Sequence, residues 1–291
     1  MAQGSQYQSF GQEFYPYEAM KAIRLAQRIH DRRALRDHIA QLLPHPSAQT
    51  RRRVANKLIQ RYVPCAKGAV LPSPFLALMN HIRDYPTQIE LLYYELTKTD
   101  RIVGAMARHI FYPYFIEDRI PGGFEEQVFR VLNASQLFVH QKIITRDFVE
   151  AFARQMWNFR NVSTLRRALR ILSQAGIIRN ERLLELRYHP VAYGMNPHDI
   201  GLTTFVYCLY DEFLNVLGKS APTVAEVQRA RFVRTFLLTP QQVNHLLQTA
   251  RRYRFIHCPA PPATNAHTHA VVRLPFPTLA DGVRELTAKA V

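Results

Sequence analysis

Between Thr145 and Tyr188 the chain spells out helix, helix and hairpin in one continuous order. Thr145 predicts the N-cap of a helix running through Met156, and Ser163 the cap of a second, because a hydroxyl there accepts an orphan amide. The second helix carries Arg166, Arg167 and Arg170 in its first turns, and Gly176 predicts its stop, since glycine readily takes the left-handed conformation past a helix end. Residues 177–179 and 183–188 then predict short strands around Asn180, Glu181 and Arg182. Two helices followed by such a wing predict a winged-helix arrangement.

Charge gives that arrangement a direction. The 291 residues hold 38 Lys and Arg against 22 Asp and Glu, a formal charge of +16, yet 47% are hydrophobic. Such a chain buries a sizeable core and is no polybasic tail. Most of the excess is arginine, whose planar fork suits phosphate and guanine, so a polyanionic partner is expected. In helix-turn-helix proteins the start of the second helix faces base edges while flanking groups hold phosphates. Here arginine accumulates at those places. Cys65, Cys208 and Cys258 are scattered without a CxxC pair, which predicts a reducing compartment. The N-terminal residues lack a leader's apolar stretch, and the apolar run 200–217 is broken by Asp211 and Glu212. A soluble cytoplasmic protein, not a membrane one, is the expectation.

Residues 1–14 predict a polar, frayed start, and residues 15–120 an N-terminal helical domain. Apolar residues from Tyr17 to Leu43 recur at helical spacing, and on one helix Arg24, Arg28, Arg32 and Arg36 would stack along one face. Ser47 predicts the cap of the next helix, where Arg53, Lys57 and Arg61 repeat the spacing beside Arg51 and Arg52. Same-sign stacking at this density costs repulsion unless something negative neutralises it. Residues 64–74 predict a breaker-rich linker, and 75–118 a helical block interrupted at Pro86 and Pro113. Its aromatics, including Tyr93, Tyr94, Phe111, Tyr112, Tyr114 and Phe115, predict packing rather than base stacking. Trp157, Met156 and Phe159 predict a core plug. Residues 121–195 form the winged-helix candidate. The remainder, 196–291, repeats helix, helix and hairpin, with strands expected at 255–258 and 269–274, and predicts a C-terminal extension that reads as a second winged helix.

The segments PSAQTRRRVANKLIQRY (46–62), QIELLYYELTKTDRIVGAMARHIFYPYF (88–115), ITRDFVEAFA (144–153) and STLRRALRILSQAGIIRNERLLEL (163–186), in this order, resemble the BrxA family of bacteriophage exclusion (BREX) defence systems. The resemblance spans residues 20–191. It implies a mainly α, multi-helical NusB-like/winged-helix architecture with one or two short β-hairpin wings. It also implies double-stranded DNA binding without catalysis, in the company of a methyltransferase, a PglZ-type protein and an ATPase. The last ninety or so residues depart from the family's pattern as an extension.

No catalytic constellation competes with this reading. The chain lacks GxxxxGK[ST], GxGxxG and GxSxG, so neither cofactor nor metal is expected. Cys258 with His257, His267 and His269 matches no common zinc spacing. Glu125–Glu126 and Asp211–Glu212 are adjacent on helices and splay apart. The nucleic-acid-binding candidates are therefore Arg24, Arg28, Arg32, Arg36, Arg51, Arg52, Arg53, Lys57, Arg61, Arg166, Arg167 and Arg170. Three uses stay open: duplex DNA binding, RNA binding in the NusB manner, and docking of an acidic partner protein.

Overall fold

A computed structural model describes residues 14–119, 143–159, 161–182, 191–196, 199–258 and 270–289. These are mainly helical, with two small antiparallel sheets. In chain order they form α1 (Pro16–Ala26), α2 (Arg32–Leu42), α3 (Ala48–Tyr62), β1 (Cys65–Ala66), β2 (Ala69–Val70), α4 (Pro74–His81) and α5 (Tyr85–Thr99). Then come α6 (Arg101–Met106), a π-turn (Ala107–Phe111), α7 (Tyr112–Phe115), β3 (Ile143–Thr145), α8 (Arg146–Trp157), α9 (Val162–Gln174), β4 (Ile178–Arg182) and β5 (Val191–Met195). The chain continues through α10 (Leu202–Tyr210), a second π-turn (Asp211–Val216), α11 (Val224–Gln228), α12 (Arg231–Thr235), α13 (Pro240–Arg252) and α14 (Leu279–Lys289).

Two compact units result, and they do not follow the expected division at 120 and 195. The described residues of 1–99, 200–228 and 244–291 make the first, and those of 100–199 and 229–243 the second. The described residues of the C-terminal stretch are thus divided between the two units. Its expected strands are replaced by isolated bridges, because residues 270–274 divide their hydrogen bonds between His257 and the 220–224 stretch.

The first unit is organised around α5, which is buried on nearly all sides: Leu91, Leu92, Tyr93, Tyr94 and Leu96 are all core. A helix that is apolar all round must be enclosed by neighbours. Along α10 and its π-turn a polar ladder meets it. Gly201 N and Thr204 Oγ1 donate to Glu90 Oε2, Tyr207 Oη donates to Glu95 Oε1 at 2.8 Å, and Tyr94 Oη donates to Asp211 Oδ2 at 2.9 Å. Lys98 Nζ bridges Glu95 and Asp211 at 2.6 and 2.7 Å. Each buried carboxylate therefore has donors, without which its desolvation would be prohibitive. On the far side of α10, Gly282 of α14 lies so near the Tyr210 ring that a Cβ there would meet Cδ1 at 2.9 Å. Only glycine allows that approach.

Burial pushes the Glu90 carboxyl above its ordinary range, against the lowering effect of its Thr204 and Gly201 donors. A carboxyl with a raised folded pKa contributes stability that is complete below about pH 4.5 and lost as pH rises through the folded pKa. We expect Glu90→Gln to gain in melting temperature relative to wild type as pH climbs from 4 to 7. A wild-type-minus-variant difference that stays flat over that range would show that Glu90 does not titrate there.

The second unit contains a three-stranded sheet of order β3-β5-β4, all antiparallel, with Ile144 opposite Tyr193 and Asn180 opposite Tyr193 on the other side. Thr145 caps α8 as expected, its hydroxyl accepting the Phe148 amide. Asn161, not Ser163, caps α9; its carboxamide oxygen accepts the Thr164 amide and the Ser163 hydroxyl. Asn is as good a cap as Ser, and the earlier residue takes the role. Gly176 ends α9 at φ +73°.

The wing differs from its expected register. β4 continues through 180–182, the stretch read as a turn, and its partner is Val191–Met195, read as loop; residues 183–188 lie outside the described residues. Phe152 meets the Trp157 ring edge-on, as the plug reading requires, but Met156 is 53% exposed and takes no part. A helix that the sequence predicts from Phe124 to Phe138 also lies outside the described residues.

Candidate nucleic-acid interface

Helix α3 is the most lopsided element in charge: it bears Arg51, Arg52, Arg53, Lys57 and Arg61 with no acidic residue in its length. Ser47 caps it as expected, its Oγ accepting the Thr50 amide. Val54, Ala55, Leu58, Ile59 and Tyr62 are buried, which turns Arg52 and Arg53 fully outward and leaves Lys57 and Arg61 half-buried along one edge. The sequence ridge of Arg53, Lys57 and Arg61 is therefore one helical row. Arg51 is drawn inward, its guanidinium donating to His45 O at 2.7 Å.

The other expected ridge is broken. Arg24 lies in the last turn of α1, Arg28 follows that helix, and Arg32 and Arg36 belong to α2. The cause is Asp31, whose carboxylate accepts the Ala34 amide at 2.7 Å and starts a new helix. The break is pinned by the small hairpin: Val70 N donates to His30 O, and Arg32 N to Gly68 O. That hairpin was hidden in the breaker-rich linker, where Lys67 and Gly68 both take positive φ, as a two-residue hairpin turn requires. Instead of a stripe, the interruption gathers exposed Arg28, Arg32, Arg33 and Lys67 within a few residues of the hairpin. Arg32 lies near enough to the Cys65 thiol to oppose the upward push of burial on it. Sequence reasoning passed over Arg33 and Lys67, since neither fits a four-residue repeat. Arg36 Nη2 is occupied by Asp37 at 2.8 Å.

In the second unit the three arginines of α9 have different environments. Arg167 is largely buried and its Nη2 pairs with Asp100 Oδ2 at 3.1 Å, where Asp100 also caps α6. Arg166 Nε donates to Glu150 Oε1 at 3.0 Å from an exposed position, and Arg170 is exposed. Burial raises the Tyr193 phenol, which also feels Arg146, Glu150, Arg166 and Arg170, so these four charges converge on the central strand β5. Arg167 is thus a joint of the unit, and Arg146 is a member of the basic group that its own position in sequence did not reveal.

Comparison with family models, with curated proteins and with solved structures finds no match. The geometry alone carries the functional argument.

Most aromatics of the helical block pack rather than face solvent, Tyr94, Tyr112 and Phe115 among them, whereas Tyr85 is 53% exposed. Tyr93 and Phe111 are wholly buried, and Tyr114 Oη donates to Ile143 O. Pro113 is tolerated because the π-turn before it widens the helix: the Tyr112 amide reaches Ala107 O. Pro86 does not interrupt a helix either, since α5 starts at Tyr85 after Asp84, whose carboxylate accepts from Thr87. No group of three or more His, Cys, Asp and Glu able to hold a metal occurs among the described residues, and His267 and His269 lie outside them. The three thiols are free. No helix among the described residues is long and apolar enough to cross a membrane.

Removing one partner of a buried ion pair leaves an uncompensated charge, at a cost of roughly 3–5 kcal/mol. We therefore expect Arg167→Glu, which sets two carboxylates face to face, to lower the melting temperature of the second unit sharply. Arg166→Glu breaks a surface pair and should cost under about 1 kcal/mol. Equal thermal unfolding of the two variants would contradict a structural role for Arg167.

Proposed function

We propose that this chain is a non-enzymatic nucleic-acid-binding protein that holds double-stranded DNA through the outward face of α3 and the basic corner between α1 and α2. The observation that carries this reading is α3 itself, with five cations, no acid, and its two most exposed arginines side by side. Such a face costs repulsion by itself and is relieved by a phosphate backbone. Phosphate contacts position the protein without reading sequence, so weak sequence preference is expected.

We read the β3-α8-α9-β4-β5 order of the second unit as winged-helix-like, and on that reading Arg166 and Arg170, at the start and middle of α9, make a secondary groove contact. Arg167 is left out of that contact. The sequence resemblance to BrxA adds the setting: a cytoplasmic accessory protein of BREX-type phage defence, acting beside a methyltransferase, a PglZ-type protein and an ATPase. A second reading, RNA binding in the NusB manner, is favoured by one observation. Arg52 and Arg53 on α3 are exposed, whereas Arg166 and Arg167 on α9 pair with Glu150 and Asp100 inside the second unit.

Side-by-side titration of duplex DNA, duplex RNA and single strands at two salt concentrations separates these readings. Duplex DNA bound most tightly, with Arg166→Gln/Arg170→Gln weakening it further than it weakens RNA, supports the first. Preference for RNA, unaffected by that pair, supports the second. No affinity for any nucleic acid returns the basic face to an acidic protein partner.

A further inference from the structure

Beside the basic corner of the first unit lies a groove of about 410 Å³. Its volume falls within the on-the-order-of 300–1,000 Å³ typical of small-ligand sites. The walls are aliphatic: Ala26 from α1, Val70, Leu71 and Pro72 after the hairpin, and Leu76 and Ala77 from α4. Leu71 is 41% exposed, a large apolar side chain that nothing in the unit covers fully. Polar groups enter at four places, Gln27, His30, Ser73 and Asn80. Gln27 is held in position by its Nε2 donating to Leu76 O at 3.1 Å, which fixes the direction of its carboxamide.

The surroundings decide what fits. Arg28 adjoins Gln27 in the chain, Arg32 and Arg33 lie two and three residues beyond His30, and Lys67 lies three before Val70; all four cations are exposed. Asp31, the acid among them, spends its carboxylate on the Ala34 amide. A largely apolar groove with carboxamide groups, next to several cations, complements a nucleotide: base in the groove, phosphates on the cations. Apolar walls sandwich an extruded base in enzymes that flip nucleotides, and carboxamides pair with base edges bearing both donors and acceptors.

We propose that this groove takes one unpaired base of a nucleic acid whose flanking phosphates rest on Arg28, Arg32, Arg33 and Lys67, an inference that rests on the nucleic-acid reading above. It makes the protein a binder of bulged or locally opened duplex in preference to perfect duplex. A docked apolar peptide or a second copy would not need the cations.

The test is a titration of matched duplex DNA and of the same duplex with a single 2-aminopurine bulge, against wild type and Ala77→Leu/Asn80→Leu. Both substitutions are at exposed positions of α4 and favour helix, so the variant should fold. Wild type should bind the bulged duplex roughly tenfold more tightly, the order that one stacked base contributes. The 2-aminopurine fluorescence should change on binding, and the variant should lose both the preference and the change while binding matched duplex as before. Equal affinity of wild type for the two duplexes, or a preference that survives in the variant, overturns the groove and leaves the phosphate-binding reading standing. Absence of binding to either duplex overturns both. Dimerisation of wild type that the variant abolishes, seen by sedimentation, would assign the groove to a second copy.

Discussion

A chain ended at Asn196 is expected not to fold its N-terminal part. The truncation removes α10, its π-turn and α14, and with them buried Phe205, Val206, Leu209 and Phe213. Full burial of such side chains contributes about 1.5–3 kcal/mol each. Four of them alone match the roughly 5–15 kcal/mol that holds a typical domain together. The polar ladder fails as well. Glu90 loses both donors, Glu95 loses the Tyr207 hydroxyl, and Tyr94 and Lys98 lose Asp211. Tyr94 and Tyr207, whose phenols burial raises far above their ordinary range, have no ionised form to fall back on. The truncated product should aggregate, or show helical far-ultraviolet dichroism without a cooperative thermal transition. A soluble, cooperatively unfolding truncated chain would mean that the C-terminal stretch is an independent module, as the sequence alone suggests.

That suggestion has a physical origin. Element types were legible because they are local: the Thr145 and Ser47 caps and the Gly176 stop each act within one turn of chain. Partnership between distant segments is not local. The evident clue was α5, whose run of Leu91, Leu92, Tyr93, Tyr94 and Leu96 demands enclosure on every side, more than the N-terminal helices supply. Helix α10 and its π-turn answer that demand, but nothing in their own pattern says so. Strand pairing failed for a related reason, because Gly194 reads as a breaker whereas it sits within β5, opposite Ile143 and Arg179. For the site, helical spacing recovered the α3 row. It joined Arg24 to Arg36 across a break that Asp31 and a six-residue hairpin impose, and it could not distinguish Arg167, spent on Asp100, from exposed Arg170.

Reversing charge on the outward face of α3 is expected to abolish most duplex binding. Arg52 and Arg53 are exposed, so Arg52→Glu/Arg53→Glu should leave the melting temperature within about 1 kcal/mol of wild-type stability. Binding, in contrast, loses two phosphate contacts and acquires two repulsive charges, and affinity at low salt should fall at least about tenfold, by a similar factor for unrelated sequences. A folded variant that keeps its affinity would remove α3 from the interface.

The salt dependence of duplex DNA binding, measured for wild type and for Arg52→Gln/Arg53→Gln, tests the central claim most directly. Each phosphate neutralised contributes roughly −0.9 to the slope of log affinity against log salt. Wild type should lose at least about tenfold in affinity between roughly 50 and 200 mM salt, and the neutral variant should flatten the slope by up to about two units. A wild-type complex insensitive to salt, or a variant with an unchanged slope, would contradict phosphate binding by α3.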